Sequence, residues 1–411
     1  MIILYNIGLL VYDFLIRIVA MWNPKARLWV DGRKDLFKRM QASISKDDRV
    51  VWVHAASLGE FEQGRPIIER VRAAHPEYKI LLTFFSPSGY EVRKGYQGAD
   101  YIFYLPLDRP SNVAKFLDIA HPEVAIFVKY EFWINLLGGL RTRGIRAFLV
   151  SAIFRQESIF FKSYGTMWRR ALESFETLFV QDKNSAKMLG EYGFDNVVVA
   201  GDTRFDRVWD IAQAAKKIEI VDQFKGESNL FVIGSSWPED EAVLTPMIEK
   251  YSDVKFVIAP HEIENDRVEA LISKLSARRA VRYTACAADT KVEDYDVLVL
   301  DTMGMLSSVY SYAKWAYIGG GFGVGIHNTL EAATFGLPIA FGTNYKRFKE
   351  ACDLISLGAA VSISNTAEVE AWFKPLHDDA ELLERVSRIS AEFTARQRGA
   401  TSLLMSSIFV K

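Results

Sequence analysis

The chain has 411 residues, half of them hydrophobic and a quarter charged, with 50 Lys+Arg against 51 Asp+Glu and a formal net charge of −1. That length predicts two or three domains, and the composition is that of a folded chain with little room for a long disordered tail. The charge balance excludes a generally basic nucleic-acid binder, and two cysteines, Cys286 and Cys352, exclude a disulfide framework and a Cys-based zinc site.

Residues 1–22, MIILYNIGLLVYDFLIRIVAMW, are a nearly continuous apolar run. No basic segment precedes it and no small-x-small cleavage site follows, which argues against a secretory signal. Its polar members Asn6, Asp13 and Arg17 fall on one helical stripe at ~100° per residue, and Asp13 and Arg17 are spaced to pair. Lys25, Arg27, Arg33, Lys34, Lys38 and Arg39 follow, with Trp22 and Trp29 beside them. Two readings fit: a helix in the cytoplasmic leaflet with its basic flank at anionic lipid, or a buried N-terminal helix of a soluble domain. The tryptophans and the basic flank favour the first. A full span would hold Asp13 and Arg17 in mid-membrane at high cost.

From residue 50 onward, strand-like runs alternate with helical ones. VVWVHAAS, KILLTFF, YIFYLP, VAIFVKY, IRAFLVSA and TLFVQ read as strands, with EQGRPIIERVRAAH and SNVAKFLDIAH as helices between them. VVVAG closes this series, residues 205–228 read as polar helix, and NLFVIGS, KFVIAP, DVLVLD, WAYIGG and PIAFG form a second series. The alternation predicts two α/β units, each a mostly parallel sheet with helices on both faces, facing one another across a cleft. Ligands of such sheets sit at the carboxyl ends of the strands, so candidate chemistry is sought there.

Four places stand out. In His54-Ala55-Ala56-Ser57-Leu58-Gly59-Glu60 a strand ends, Gly59 permits a tight turn, and Glu60 is placed at the strand-to-helix corner. A carboxylate there can take a proton from a hydroxyl, or can simply complement a helix dipole. Ser235-Ser236-Trp237-Pro238 offers donors at a helix start, suited to a phosphate or to plain capping. Asp301-Thr302-Met303-Gly304-Met305 is a loop entering a helix. The strongest is YIGGGFGVGIHNTLEAATFGLPIAFG, with Gly319, Gly320, Gly321, Gly323 and Gly325, then His327, Asn328 and Glu331. Glycines in such number let backbone N–H groups approach a phosphate, and Glu331 is placed to accept from ribose hydroxyls. Glu131, in Lys129-Tyr130-Glu131, is a further strand-end carboxylate. Asp202, Arg204 and Asp206 mark the inter-domain crossover, and no metal-ligand spacing is present.

In this order, HAASLGEFEQGRPIIE, PLDRP, GDTRFD, DTMGM and GGGFGVGIHNTLEAATFGLPIAFG resemble the Kdo transferases, the 3-deoxy-D-manno-octulosonic acid transferases of lipopolysaccharide biosynthesis, over essentially the whole chain. The resemblance implies a GT-B glycosyltransferase with two Rossmann-like doubly wound domains and an N-terminal membrane-associated helix. It implies CMP-Kdo as donor, a lipid A precursor of the lipid IVA type as acceptor, inversion at the anomeric carbon, and a place on the cytoplasmic face of the inner membrane. Glu60 matches the family's general base, and Glu131 its acceptor-side acidic residue. Ser235, Ser236, Pro260, His261, Met303, Gly304, Gly319, Gly320, Gly321, His327, Asn328 and Glu331 would bind the nucleotide. No metal, other cofactor or nucleic-acid partner is implied.

The expected domains are an anchor over 1–22, an acceptor domain over 23–206, a donor domain over 207–390, and a C-terminal helix over 391–411 packing back on the acceptor domain. The competing readings are another GT-B nucleotide-sugar transferase or epimerase, and a membrane-attached protein that binds a nucleotide without turnover.

Overall fold

The computed structural model describes residues 1–275, 277–287 and 289–409. The chain divides into two units, Met1–Asp206 with Arg398–Lys411, and Arg207–Gln397. The first holds the strands β1 (Val50–Ala55), β2 (Lys79–Phe84), β3 (Tyr101–Tyr104), β4 (Pro122–Val128), β5 (Arg146–Ala152), β6 (Thr177–Val180) and β7 (Val197–Val199). The second holds β8 (Asn229–Ser236), β9 (Val254–Pro260), β10 (Ala280–Arg282), β11 (Val297–Val299), β12 (Trp315–Ile318), β13 (Ile339–Phe341) and β14 (Ala360–Ser362).

The first sheet runs β3-β2-β1-β4-β5-β6-β7 and the second β10-β11-β9-β8-β12-β13-β14. All described strand pairs are parallel. Helices cover both faces of a parallel sheet, so the central strands need apolar residues on both sides. The unbroken run Val50-Val51-Trp52-Val53 meets that need, with every residue of β1 buried. Strand order reverses between β1 and β4 in the first sheet and between β8 and β12 in the second. Ligands bind in the crevice at such switch points, and the motifs around Glu60, Glu131, Ser235 and Gly319 follow or end these four strands, while the loop over 301–305 follows β11.

The expected strands form, and β10 and β14 join them as short edge strands. The polar helix expected over 205–228 is two helices, Thr203–Gln213 and Glu219–Lys225. The expected boundary at 390/391 falls inside the continuous helix Ala380–Arg396, and the second unit ends after it, at Gln397. The segment that returns to the first unit is the helix Ala400–Ile408, where Leu404 and Ile408 pack into the core with Ile68 and Val71. Asp206, at the crossover between the units, accepts from Gly399 N and Thr401 N at 2.6 Å each and caps this helix. The last two residues of the expected segment lie outside the described residues.

The helices α1 (Ile2–Val19), α2 (Pro24–Asp31) and α3 (Leu36–Ser43) precede the first sheet. α1 is long and apolar enough to cross a membrane, and it is mostly unburied. Its polarity is inverted relative to a core helix. Two polar groups near its start contact the body of the unit: Asn6 accepts from Asn135 Nδ2 at 2.7 Å, and Tyr5 donates to Asp108 at 2.8 Å. Leu4, Leu10, Phe14 and Leu15 are exposed. A helix that turns apolar side chains outward is suited to lipid rather than water.

Asp108 fastens α1 to the body. Besides Tyr5, it accepts from Asn135 N at 2.9 Å and Leu136 N at 2.8 Å, at the start of helix Ile134–Thr142. Burial pushes its carboxyl up to about 6, against the pull of those three donors. Replacing it with Ala orphans two buried backbone N–H groups and the Tyr5 hydroxyl. Asp108→Ala is expected to lower unfolding stability by about 2–4 kcal/mol, read as the urea midpoint. A midpoint unchanged from wild type would show that Asp108 does not hold this corner together.

Candidate functional site

The first unit's part of the site begins where β1 ends. Ser57 is the N-cap of α4 (Leu58–Ala74), and Glu60 lies in its first turn. The expected helix began later, so Glu60 is a helical residue rather than a corner residue. Gly59 has no left-handed backbone. A Cβ there would meet only Ser57 Oγ, at 3.8 Å, so its effect is to leave the surface beside Glu60 bare. Glu60 is half-buried and accepts a short hydrogen bond from Ser57 Oγ. Its charge also faces Tyr130, whose hydroxyl pKa is raised mainly by burial and further by Glu60.

Glu131 is placed differently. It is 9% exposed, and its Oε2 accepts from His54 Nε2 at 3.0 Å and Trp133 Nε1 at 2.7 Å. On the other side of the imidazole, Nδ1 lies 2.8 Å from Thr83 Oγ1, which itself accepts from Trp52 Nε1 at 2.8 Å. The Nδ1 also lies 3.1 Å from Thr83 O, so Thr83 holds this side of the ring while Nε2 donates to Glu131. Glu131, the acceptor-side acid of the resemblance, ties the ends of β1 and β4 together from a buried position. Lys129, beside it, has φ 65, a left-handed backbone rare for a residue with a side chain.

Asp202, expected at the crossover, is buried and accepts from Gln63 Nε2 at 3.0 Å and from Arg204. Burial alone would raise its pKa, but the Arg204 charge and hydrogen bonds hold it below the usual carboxylate range.

In the second unit, the ends of β8, β9 and β12 converge. Ser235 has φ 54, and Ser236 Oγ donates to buried Glu241 at 2.8 Å, which also binds Arg267. Trp237 stacks on His261, which follows Pro260, with ring centroids 4.6 Å apart, and His261 lies 4.6 Å from His327. Trp237 Nε1 donates to His327 Nε2 at 3.3 Å, which leaves the imidazole proton on Nδ1. Burial, with the neighbouring His261, pushes the His327 pKa down to about 4. His327 is therefore neutral near pH 7.

The glycine-rich loop is packed closely against neighbouring backbone. A Cβ on Gly319 would collide with the Ser235 backbone, and one on Gly321 with the Gly342 backbone. Gly320 has φ 90, and its N–H donates to buried Asp240 at 2.8 Å. The N–H groups of Gly323 and Gly325 donate to Gly320 O, and that of His327 to Gly319 O. These glycines admit other backbone segments, and these amides are spent inside the loop.

Glu331 lies in the first turn of helix Leu330–Thr334 and is half-buried. Asn328 Nδ2 donates to it at 2.9 Å, and Ser307 Oγ makes a short bond to it. Met303 is exposed, and Gly304 has φ 88 with open space around it.

Sequence reasoning missed Asp240, which also accepts from Trp237 N at 2.9 Å and Tyr317 Oη at 2.7 Å. In the run Pro238-Glu239-Asp240-Glu241 it reads as an ordinary first-turn acid. It also missed Asn344, whose side chain binds Gly323 O at 2.7 Å, and Arg347, whose guanidinium binds Val324 O. Neither carries a local signal.

Among solved structures, a UDP-GlcNAc 2-epimerase from Neisseria meningitidis matches with a TM-score of 0.61 and 14% identity, covering 88% of this chain and 100% of that one. MurG from Acinetobacter baumannii matches with a TM-score of 0.56 and 13% identity, covering 88% and 99%. Identities this low speak for the fold alone, and the fold is that of the GT-B enzymes. The sequence comparisons are narrower. A family model for 3-deoxy-D-manno-octulosonic-acid transferase (kdotransferase) matches residues 33–207. A 3-deoxy-D-manno-octulosonic acid transferase of Aquifex aeolicus is 28% identical over 336 residues, spanning 80% of this chain and 86% of its own. That of Haemophilus influenzae is 25% identical over 372 residues, spanning 86% and 85%. Over most of its length the chain is similar to the Kdo transferases, and it is a glycosyltransferase.

The His327 arrangement has a pH signature. Its folded pKa lies below the ordinary 6.5, so between pH 6.5 and 4 the unfolded chain binds the extra proton. Stability is lost as pH falls through that window. The melting temperature of His327→Gln is expected to fall less than that of wild type from pH 6.5 to pH 4. Parallel curves would remove His327 from this account.

Proposed function

We propose that the protein transfers Kdo from CMP-Kdo to a hydroxyl of a lipid A precursor, with inversion, and that Glu60 is the general base. The observation that carries the reading is the state of the first unit's strand-end carboxylates. Glu131 and Asp202 are buried and tied to protein donors, while Glu60 is half-exposed, beside a bare glycine, at the switch point. Glu60 takes the proton from the acceptor hydroxyl. The hydroxyl oxygen then bonds to the anomeric carbon of Kdo as the bond from that carbon to the CMP phosphate oxygen breaks. The electron pair leaves with CMP.

The second unit holds the donor. The stacked Trp237 and His261 rings offer a flat surface to a pyrimidine, and neutral His327 keeps an Nδ1–H to donate to phosphate oxygen. Such donors stabilise the charge that develops on the leaving group because they are fixed before reaction. Glu331, steadied by Asn328 and Ser307, faces ribose hydroxyls. Glu131 positions the β4 end and its Trp133 and does not take the proton. The reading names no metal. In this reading the protein works at the cytoplasmic face of the inner membrane, where a lipid acceptor and a soluble nucleotide sugar meet; the apolar α1 and its basic flank support it.

A transfer assay with CMP-Kdo and a tetra-acylated precursor, read by mass spectrometry, tests this. Wild type should add Kdo, and Glu60→Gln should lose roughly 10²–10⁴-fold in kcat with CMP affinity intact. Glu60→Gln retaining most of its activity would assign the base elsewhere. In the same preparation Glu331→Ala should bind CMP about 10-fold more weakly, and unchanged CMP affinity would remove Glu331 from the donor site. Transfer of a UDP-linked sugar in place of Kdo would give the site to another nucleotide-sugar reaction.

A further inference from the structure

A groove of about 510 Å³ lies within the first unit, between α1, α2 and the loop after β2. Tyr12 and Ile16 of α1, Trp29 of α2, and Phe85 and Pro87 of the loop give it apolar walls, and Lys25 stands on its lining. Small-molecule sites have this size and this mix of mostly apolar surface with few polar groups. The proposed reaction assigns nothing to it.

Two connections say what fits. On one side the groove is continuous with the outward apolar face of α1, since Leu15 and Val19 line it and are exposed. On the other side it reaches the catalytic loop. Ser86 of the groove wall donates its N–H to Ala56 O at 2.7 Å, in the segment that leads to Ser57 and Glu60. Phe85 lies 4.6 Å from the Trp133 ring, and Trp133 holds Glu131. Trp29 adds a chemical hint: its Nε1 is buried without a hydrogen-bond partner among the described residues. A carbonyl of an acyl ester or amide is an acceptor that a lipid brings and the protein lacks. Lys25 supplies a positive charge of the kind that meets an anionic head group.

We propose that this groove seats one acyl chain of the acceptor lipid, so that the chain enters from the α1 side and its head group is delivered beside Glu60. The inference rests on the acceptor class assigned above. Burial of an acyl chain contributes ~0.8 kcal/mol per CH₂, so the groove acts on acceptor affinity.

Two experiments test it on the full-length protein in detergent micelles. First, a tetra-acylated disaccharide precursor bearing a diazirine near the middle of its acyl chains is photo-crosslinked to wild type. Labelled peptides should map to residues 12–29 and 85–87. Second, Ala26→Trp and, separately, Ile16→Trp fill the groove. Each should raise KM for the tetra-acylated acceptor about 10-fold or more, with kcat and the KM for CMP-Kdo kept. Acceptor KM unchanged in both variants, or labels confined to other segments, would overturn the proposal. A diazirine phosphatidylglycerol that labels the groove and is not displaced by the precursor would also overturn it, by assigning the groove to a bilayer lipid. Should both variants misfold, the wild-type label map decides. The two readings fail separately: groove labelling without Kdo transfer would sink the proposed reaction alone, and Kdo transfer with labels elsewhere would sink the groove alone.

Discussion

The second unit turns on one buried carboxylate. Asp240 takes the N–H of Trp237, the N–H of Gly320 and the hydroxyl of Tyr317, so it binds the segment after β8 to β12 and the loop that follows it. Burial raises its pKa against the pull of those three donors. Strand order reverses between β8 and β12, and the connections leave in opposite directions there, opening a crevice. An opening that must keep its shape needs a tie across it. The first unit solves the same problem with Glu131, which joins the end of β4 to His54 of β1. The two ties differ in chemistry and agree in position.

This division of labour explains which carboxylates remain for chemistry. Removing a partner from a buried, hydrogen-bonded carboxylate leaves uncompensated polarity, so such groups are held in place and are poor proton acceptors for a passing hydroxyl. Glu60 and Glu331 instead lie in the first turns of their helices and are half-buried. Each is steadied by a small hydroxyl, Ser57 or Ser307. A site needs functional groups of this second kind on supports of the first kind. Left-handed backbone at Lys129 and Ser235 falls at the same strand ends, where the surrounding ties can bear the strain.

Much of the architecture was legible because parallel sheets demand it. Strands buried on both faces show as unbroken apolar runs, and VVWV, AIFV and LFVI are unmistakable at that level. Edge strands carry no such demand. β10 and β14, three residues each, lie at or next to the ends of their sheet and blend into the surrounding loops. The inverted polarity of α1 was half legible. The stripe of Asn6, Asp13 and Arg17 could be placed from periodicity, but Asn135, the partner of Asn6, and Asp108, the partner of neighbouring Tyr5, lie more than a hundred residues away in sequence. No local pattern reveals which way such a stripe faces.

The glycine-rich segment shows where sequence reasoning stops and why. Glycine records that something comes too close for a Cβ. It does not record what comes close. A phosphate was the expected visitor, yet at Gly319 and Gly321 the visitor is another stretch of backbone, and the N–H of Gly320 is taken by Asp240. The loop also shapes what lies beside it. It packs tightly enough to bring His327 against His261 and Trp237, within a partly buried cluster where a histidine stays neutral and keeps a fixed donor. The identity of the motif was readable from its residues. Its physical role depended on distant partners, Ser235, Asp240 and Gly342, whose approach only the folded chain defines.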